Sequence, residues 1–105
     1  MSVALLLTDN VDAKSRIVPV ATEAVFVAKW LPGIAALGLE WGELMQTGFV
    51  VTFDNRRQVM DELGRLRAWM IASYGADAYE LTRLDALLES LAAIDFDAGA
   101  TAFLG

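Results

Sequence analysis

The stretch DNRRQVMDELGRLRAWMIASYG (residues 54–75) decides the fold, because it carries the clearest helical pattern in the chain. Asp54 is a residue type that caps helix N-termini, and Gly75 can provide a left-handed exit at the other end. Helical spacing places four apolar side chains in one stripe: Val59, Leu63, Leu66 and Met70. The sequence therefore predicts a helix over residues 54–74.

A second helix is predicted over residues 78–94. Asp77, with Glu80 three residues later, approximates a capping box at its start. Its apolar stripe consists of Leu81, Leu84, Leu88 and Leu91. Because the link between the two helices is so short, the pair is expected to form an antiparallel helical hairpin.

The arginines of the first helix raise the question of whether this helix binds phosphate or nucleic acid. On a helical wheel Arg57, Asp61 and Arg65 share the side opposite the apolar stripe, so an acid lies between the two bases. A helix that reads DNA presents an unopposed basic stripe in a basic domain. This chain has a formal net charge of −6, and no nucleic-acid partner is predicted.

On the helical wheel, Arg67 lies at the edge of the apolar stripe, close to the angular position of Leu63. A guanidinium in that position needs a carboxylate or carbonyl partner, because burying it alone is costly. In an antiparallel hairpin its level along the axis matches Asp85, with Glu89 one turn away. We therefore expect Arg67 to bridge to Asp85 or Glu89 and to fix the register of the hairpin.

The first part of the chain predicts extended structure. SVALLLT (residues 2–8) is short and aliphatic and reads as a strand, and residues 9–16 form a polar loop. Residues 17–20 are extended, with Pro19 arguing against a central strand position.

A bent helix and two strands are predicted between these parts. Thr22 is the expected N-cap of a helix over residues 22–37, which Pro32 must kink. We assign residues 40–46 and 49–53 to two adjacent strands, although the preceding helix could instead continue through Met45. The tail after Ile94 is either a loop or a short edge strand.

These elements together predict a single α+β domain over residues 1–105. Its small, mostly antiparallel sheet uses residues 2–8, 40–46 and 49–53, and the bent helix and the helical hairpin pack on it.

The composition excludes several kinds of chemistry. The chain has no cysteine and no histidine, so thiolate sites, disulfides and imidazole catalysis are absent. The hydrophobic fraction is 56%, yet the longest uncharged runs, WLPGIAALGL and LMQTGFVVTF, are half the length of a membrane span. The first residues lack the basic region of a signal peptide, which favours a cytoplasmic location.

An interaction surface is the leading functional prediction. Aromatic residues dominate binding hot spots, and the candidates are Trp30, Leu31, Pro32, Trp41, Phe49 and Trp69. The high apolar content favours a homodimer, since exposed apolar patches mark interfaces. Residues 77–105 hold six acids against Arg83 alone, a balance of −5 that could steer a basic protein partner. A non-catalytic module of this kind is similar in general character to bacterial inhibitor or immunity proteins, although no motif is specific for them.

The alternative is a small-molecule or magnesium-dependent binding protein or enzyme that uses the loop 9–16. Asp9, Asp12 and Asp54 could supply an all-oxygen Mg²⁺ site, with Arg16 nearby. Solvated loop charges and an Asx turn explain the same residues without a ligand. The chain contains none of the glycine-rich phosphate or nucleotide motifs, nor a nucleophile elbow, so no cofactor is predicted and the sequence leans against an enzyme.

Overall fold

The computed structural model describes residues 2–9 and 14–105. They form the predicted α+β fold, in which helices cover one face of a four-stranded antiparallel sheet. The strands are β1 (Ser2–Asp9), β2 (Lys14–Thr22), β3 (Phe49–Val51) and β4 (Thr101–Leu104). The helices are α1 (Glu23–Val25), α2 (Leu31–Leu37), α3 (Glu40–Leu44), α4 (Phe53–Tyr74) and α5 (Tyr79–Ala92). A π-helical turn, Phe26–Trp30, joins α1 to α2, and a 3-10 turn, Phe96–Ala98, follows α5.

The strand order in the sheet is β2-β1-β4-β3. β4 therefore lies in the middle, where it pairs with β1 on one side and β3 on the other. The interpretation of the tail as a loop or an edge strand is wrong, because the short apolar run TAFL completes the ladders of two other strands. β3 is also shorter than the predicted strand 49–53, since helix α4 already begins at Phe53.

The first hairpin is longer than the sequence predicts. β1 extends to Asp9 and β2 begins at Lys14, so only residues 10–13 of the predicted loop 9–16 lie between the strands, and these are outside the described residues. Pro19 lies on β2, an edge strand, in agreement with the argument against a central position.

The helix predicted over residues 22–37 begins as expected at Thr22, whose hydroxyl accepts a hydrogen bond from the Val25 backbone N–H at 3.2 Å. The expected break occurs as a π-helical turn directly before the turn that contains Pro32. Proline lacks the N–H for an α-helical bond and crowds the preceding turn, and a widened turn accommodates both effects. Gly38, with φ of 64°, ends α2 in the left-handed conformation.

The strand predicted over residues 40–46 is wrong, because α3 occupies Glu40–Leu44. Leu39, Gly42 and Met45 are buried, which is a three-residue spacing typical of a helix and not the alternation of a strand. The carboxylate of Glu62 on α4 accepts a hydrogen bond from the Gly42 N–H at 2.9 Å and so ties the two helices together.

The helical hairpin of α4 and α5 is present, but its caps differ from the prediction. Thr52 and Asn55 form the capping box of α4, so Asp54 lies inside the first turn and is not the cap. Ala78 precedes α5 without a side-chain cap, and the predicted Asp77–Glu80 capping box is therefore wrong. The α4 stripe is buried as predicted, whereas Leu87 replaces Leu88 in the buried stripe of α5.

The core lies between the helices and the inner face of the sheet. Leu5 and Leu104 from the two central strands are fully buried there, together with Leu84 and Leu91 of α5. Across residues 2–9 and 14–105, no helix combines the length and the apolar character needed to cross a bilayer.

Candidate interaction surface

The outer face of the sheet carries a row of apolar side chains. Direct partners in an antiparallel sheet point to the same side. Leu6 is paired with Ile17 on β2 and with Phe103 on β4, and Phe103 is paired with Val50 on β3. These four residues, the apolar row, therefore cross all four strands. Their exposed fractions are 66% for Ile17, 40% for Leu6, 41% for Phe103 and 57% for Val50.

The surroundings of the apolar row are uncharged. Ala4 and Pro19 are paired on one side of it, and Thr8 is paired with Ser15 and Thr101 on the other. No outward-facing position of the described strands is an acid or a base, although 21% of the chain is charged. Charge depletion of this kind distinguishes the centre of an interface from ordinary protein surface.

Gly48 holds the Phe103 ring in place within the row. Gly48 has a φ of 92°, which disfavours any other residue, and a Cβ atom there would collide with the Phe103 ring. The ring therefore lies directly on the glycine backbone, and the Phe103 side chain remains partly exposed.

The predicted interaction residues do not come together on one surface. Trp30 is fully buried and stacks on Phe26 with ring centroids 6.0 Å apart, so it is a core residue. Leu31 is half-buried against the core and Pro32 is exposed on α2. Trp30 and Leu31 therefore contribute to the core and not to an exposed surface.

The other predicted aromatic residues are half-buried and partnered within the chain. Trp41 packs on Phe49 with ring centroids 5.0 Å apart, and its indole N–H donates to the Gln58 amide oxygen at 3.4 Å. Trp69 meets Tyr74 edge to face at 5.4 Å. None of these residues belongs to the apolar row.

The interaction surface predicted from the sequence centres on tryptophans, and the apolar row contains none. A signal for it exists in SVALLLT, where aliphatic residues occupy both the even and the odd positions. A strand of that pattern has an apolar residue on each face, and one of the two faces needs cover from elsewhere.

The acids of the C-terminal part do not form one surface. At 100° per residue, Glu80 and Glu89 lie on opposite sides of α5, and Glu80 is half-buried. Asp95 uses its carboxylate to accept a hydrogen bond from the Ala98 N–H at 3.2 Å. This arrangement gives little support to a basic partner bound by the acidic hairpin.

Arg67 pairs with Asp85, one of the two carboxylates considered for it. The Nε atom of Arg67 donates to Oδ1 of Asp85 at 2.6 Å, and Glu89 forms no ion pair among the described residues. The hydrogen bond to the guanidinium holds the pKa of Asp85 below its ordinary value, and the same bond raises the pKa of Arg67. Both side chains are more than 40% exposed, so the pair lies at the rim of the hairpin and not in its core.

A cleft of about 570 Å³ lies beside the strand ends, where the alternative site was predicted. Its lining includes Asp9, Arg16 and Asp95, together with small and hydroxyl side chains. Asp54 lies in the first turn of α4 and does not line this cleft, and Asp12 is outside the described residues. Within residues 2–9 and 14–105, no group of three or more acids is placed to hold a metal ion.

Comparison of the chain with protein-family models, with curated proteins and with solved structures finds no match.

Proposed function

We propose that the chain is a small protein-interaction module that acts in the cytoplasm by surface contact, and that the apolar row binds a second copy of the same chain. The observation that carries this proposal is the uncharged outer face, with its four exposed apolar side chains in one row. Apolar rows of two sheets can interdigitate when the sheets pack face to face.

The charge distribution permits a second copy, because the proposed contact surface itself carries no charge. Each copy carries a formal charge of −6, so two copies repel unless their contact surface is uncharged and their acids stay apart. α5 packs against β2 and α4 on the inner side of the sheet. A twofold contact through the outer faces therefore places the two acidic helices on opposite outsides of the dimer.

The size of the open face sets the expected strength of the dimer. With strands about 4.8 Å apart and a rise of about 3.3 Å per residue, the face measures roughly 15 by 20 Å. Two such faces bury less than the roughly 1,200 Å² at which stable interfaces begin. We therefore expect a weak dimer whose population depends on concentration.

Sedimentation velocity from micromolar to millimolar concentration tests the proposal. We expect the wild-type chain to shift from monomer to dimer, and Ile17→Lys to remain monomeric, because a lysine buried in the interface weakens association by about a hundredfold or more. Val27→Lys is the matched control, since Val27 is 52% exposed on the π-helical turn and lies away from the sheet.

Two results would contradict the homodimer. If the wild-type chain stays monomeric at millimolar concentration, the apolar row serves a different protein. If Val27→Lys disrupts association as strongly as Ile17→Lys does, the contact surface lies elsewhere on the molecule.

The cleft beside the strand ends supports a second candidate function, the binding of a small phosphate compound. Its volume lies within the range of small-molecule sites. The Arg16 side chain lines the cleft, and among the described residues it has no hydrogen-bond or ion-pair partner. We expect inorganic phosphate to raise the melting temperature of the wild-type chain but not of Arg16→Gln; an equal response of the two would remove this candidate.

A further inference from the structure

A second, smaller cavity of about 250 Å³ lies between the start of β1, the end of β2 and the first turns of α5. Three of its lining residues, Val3, Val20 and Trp30, are buried apolar residues of the core. Sites for drug-sized molecules measure about 300–1,000 Å³. The cavity is therefore suited to a compact apolar group, whose removal from water favours binding.

Two oppositely charged side chains of α5, Glu80 and Arg83, also line this cavity. They are three residues apart, a spacing that makes two side chains neighbours on a helix surface, with Cβ atoms about 5–6 Å apart. Both residues are half-buried. They do not pair with each other, and the Glu80 carboxylate has no hydrogen-bond or ion-pair partner among the described residues. The cavity thus has one acid and one base side by side.

Tyr79, which lines the same cavity, positions the guanidinium of Arg83. The Nε atom of Arg83 donates to the Tyr79 hydroxyl at 2.8 Å, and the guanidinium lies 5.3 Å from the centre of the Tyr79 ring. Its terminal nitrogens, Nη1 and Nη2, have no partner in the part of the chain that the structure describes. Because the guanidinium is already ordered, it loses little conformational freedom when its remaining donors bind a carboxylate.

We infer that this cavity binds a free α-amino acid with a compact apolar side chain, such as leucine. The ligand carboxylate accepts hydrogen bonds from Arg83, the ammonium group donates to Glu80, and the side chain fills the apolar part of the cavity. An α-amino acid carries both charged groups on one carbon atom, so it can bridge two neighbouring side chains. The formal charge of −6 repels a simple anion but not a zwitterion, which has no net charge.

Titrations followed by ¹H–¹⁵N NMR spectra test this inference with leucine and three analogues. Isocaproate is leucine without the ammonium group, isoamylamine is leucine without the carboxylate, and glycine lacks the apolar side chain. We expect leucine to bind at least about tenfold more tightly than each analogue, because each analogue loses one of the three contacts. An analogue that binds as tightly as leucine would overturn the inference, as would the absence of saturable leucine binding at millimolar concentration.

Variants that each remove one charge locate the binding site. Arg83→Gln and Glu80→Gln are each expected to weaken leucine binding by about tenfold, because each removes one charged hydrogen-bond partner of the ligand. Arg57→Gln and Glu89→Gln are the matched controls, since they remove the same charges at exposed positions outside the cavity lining. Both controls should bind leucine like the wild-type chain. Equal weakening by a control and its cavity variant, or wild-type binding by either cavity variant, would contradict the assignment.

Discussion

Replacing Gly33 by alanine is expected to lower the free energy of unfolding by about 2 kcal/mol, which is within the range for overpacked cores. Gly33 is buried where α2 crosses α4. A Cβ atom at this position would lie 2.6 Å from Cδ1 of Leu66 and 2.6 Å from Cε3 of Trp69. Leu66 has no exposed surface, and the Trp69 ring is braced by Tyr74, so neither neighbour can move aside without cost. Urea unfolding followed by circular dichroism measures the change.

Gly64→Ala is the control for the Gly33 experiment. Gly64 lies in the interior of α4, is exposed, and would have no atom within 4 Å of an added Cβ. Alanine there removes only the entropic disadvantage of glycine and should stabilise the helix by about 0.5–1 kcal/mol. A Gly33→Ala variant that gained stability in the same way would show that α2 and α4 do not meet closely at Gly33.

Replacing Arg56 by glutamine is expected to lower the free energy of unfolding by about 2 kcal/mol, the usual size for hydrogen bonds that involve a charged group. The Nη1 atom of Arg56 donates to the Leu91 carbonyl at 3.3 Å and to the Ile94 carbonyl at 2.8 Å. Carbonyls at a helix C-terminus have no partner within the helix and attract a positive charge. The guanidinium also lies 5.0 Å from the centre of the Phe96 ring, so one side chain secures the end of α5 and the turn that follows it.

The neighbouring residue provides the control for Arg56. Arg57 is exposed, and its side chain makes no hydrogen bond or ion pair with any described residue. Arg57→Gln changes the net charge by the same amount and should alter stability by less than about 0.5 kcal/mol. Equal effects of the two substitutions in thermal or urea unfolding would mean that charge, and not the carbonyl contacts, is responsible.

The helical hairpin could be predicted from the sequence because its evidence is local. The stripe of Val59, Leu63, Leu66 and Met70 repeats at helical spacing over several turns, and tertiary packing reinforces the same spacing. The role of Arg56 could not be predicted in this way. Its partners are 35 and 38 residues further along the chain, and no spacing rule connects them.

The sheet was harder to predict because its strands depend on distant partners. β4 is a four-residue strand preceded by a short turn that ends at Gly99, and its central position comes from pairing with β1, almost the whole length of the chain away. Residues 40–46 contain aromatic and aliphatic side chains that suit a strand. The helix is identified by its backbone hydrogen bonds and by the spacing of the buried residues Leu39, Gly42 and Met45.

For a related reason, the sequence predicts that an exposed apolar surface exists but does not predict which residues form it. The apolar excess correctly indicated that some hydrophobic side chains remain uncovered, as the apolar row shows. The exposed residues are those on the sheet face that the helices leave uncovered. The topology of the whole fold determines which face that is. Tryptophan is a residue type that is enriched at binding hot spots, yet Trp30 is fully buried.

Both borders of the sheet discourage the lateral addition of further strands. At one border β2 carries Pro19, which cannot donate to a ladder, and its register with β1 shifts between Val3 and Ala4. At the other border β3 has only three residues. Chains that cannot join border to border are protected from fibril growth, so sheet borders of this kind let a molecule with a large apolar content remain at high concentration without forming fibrils.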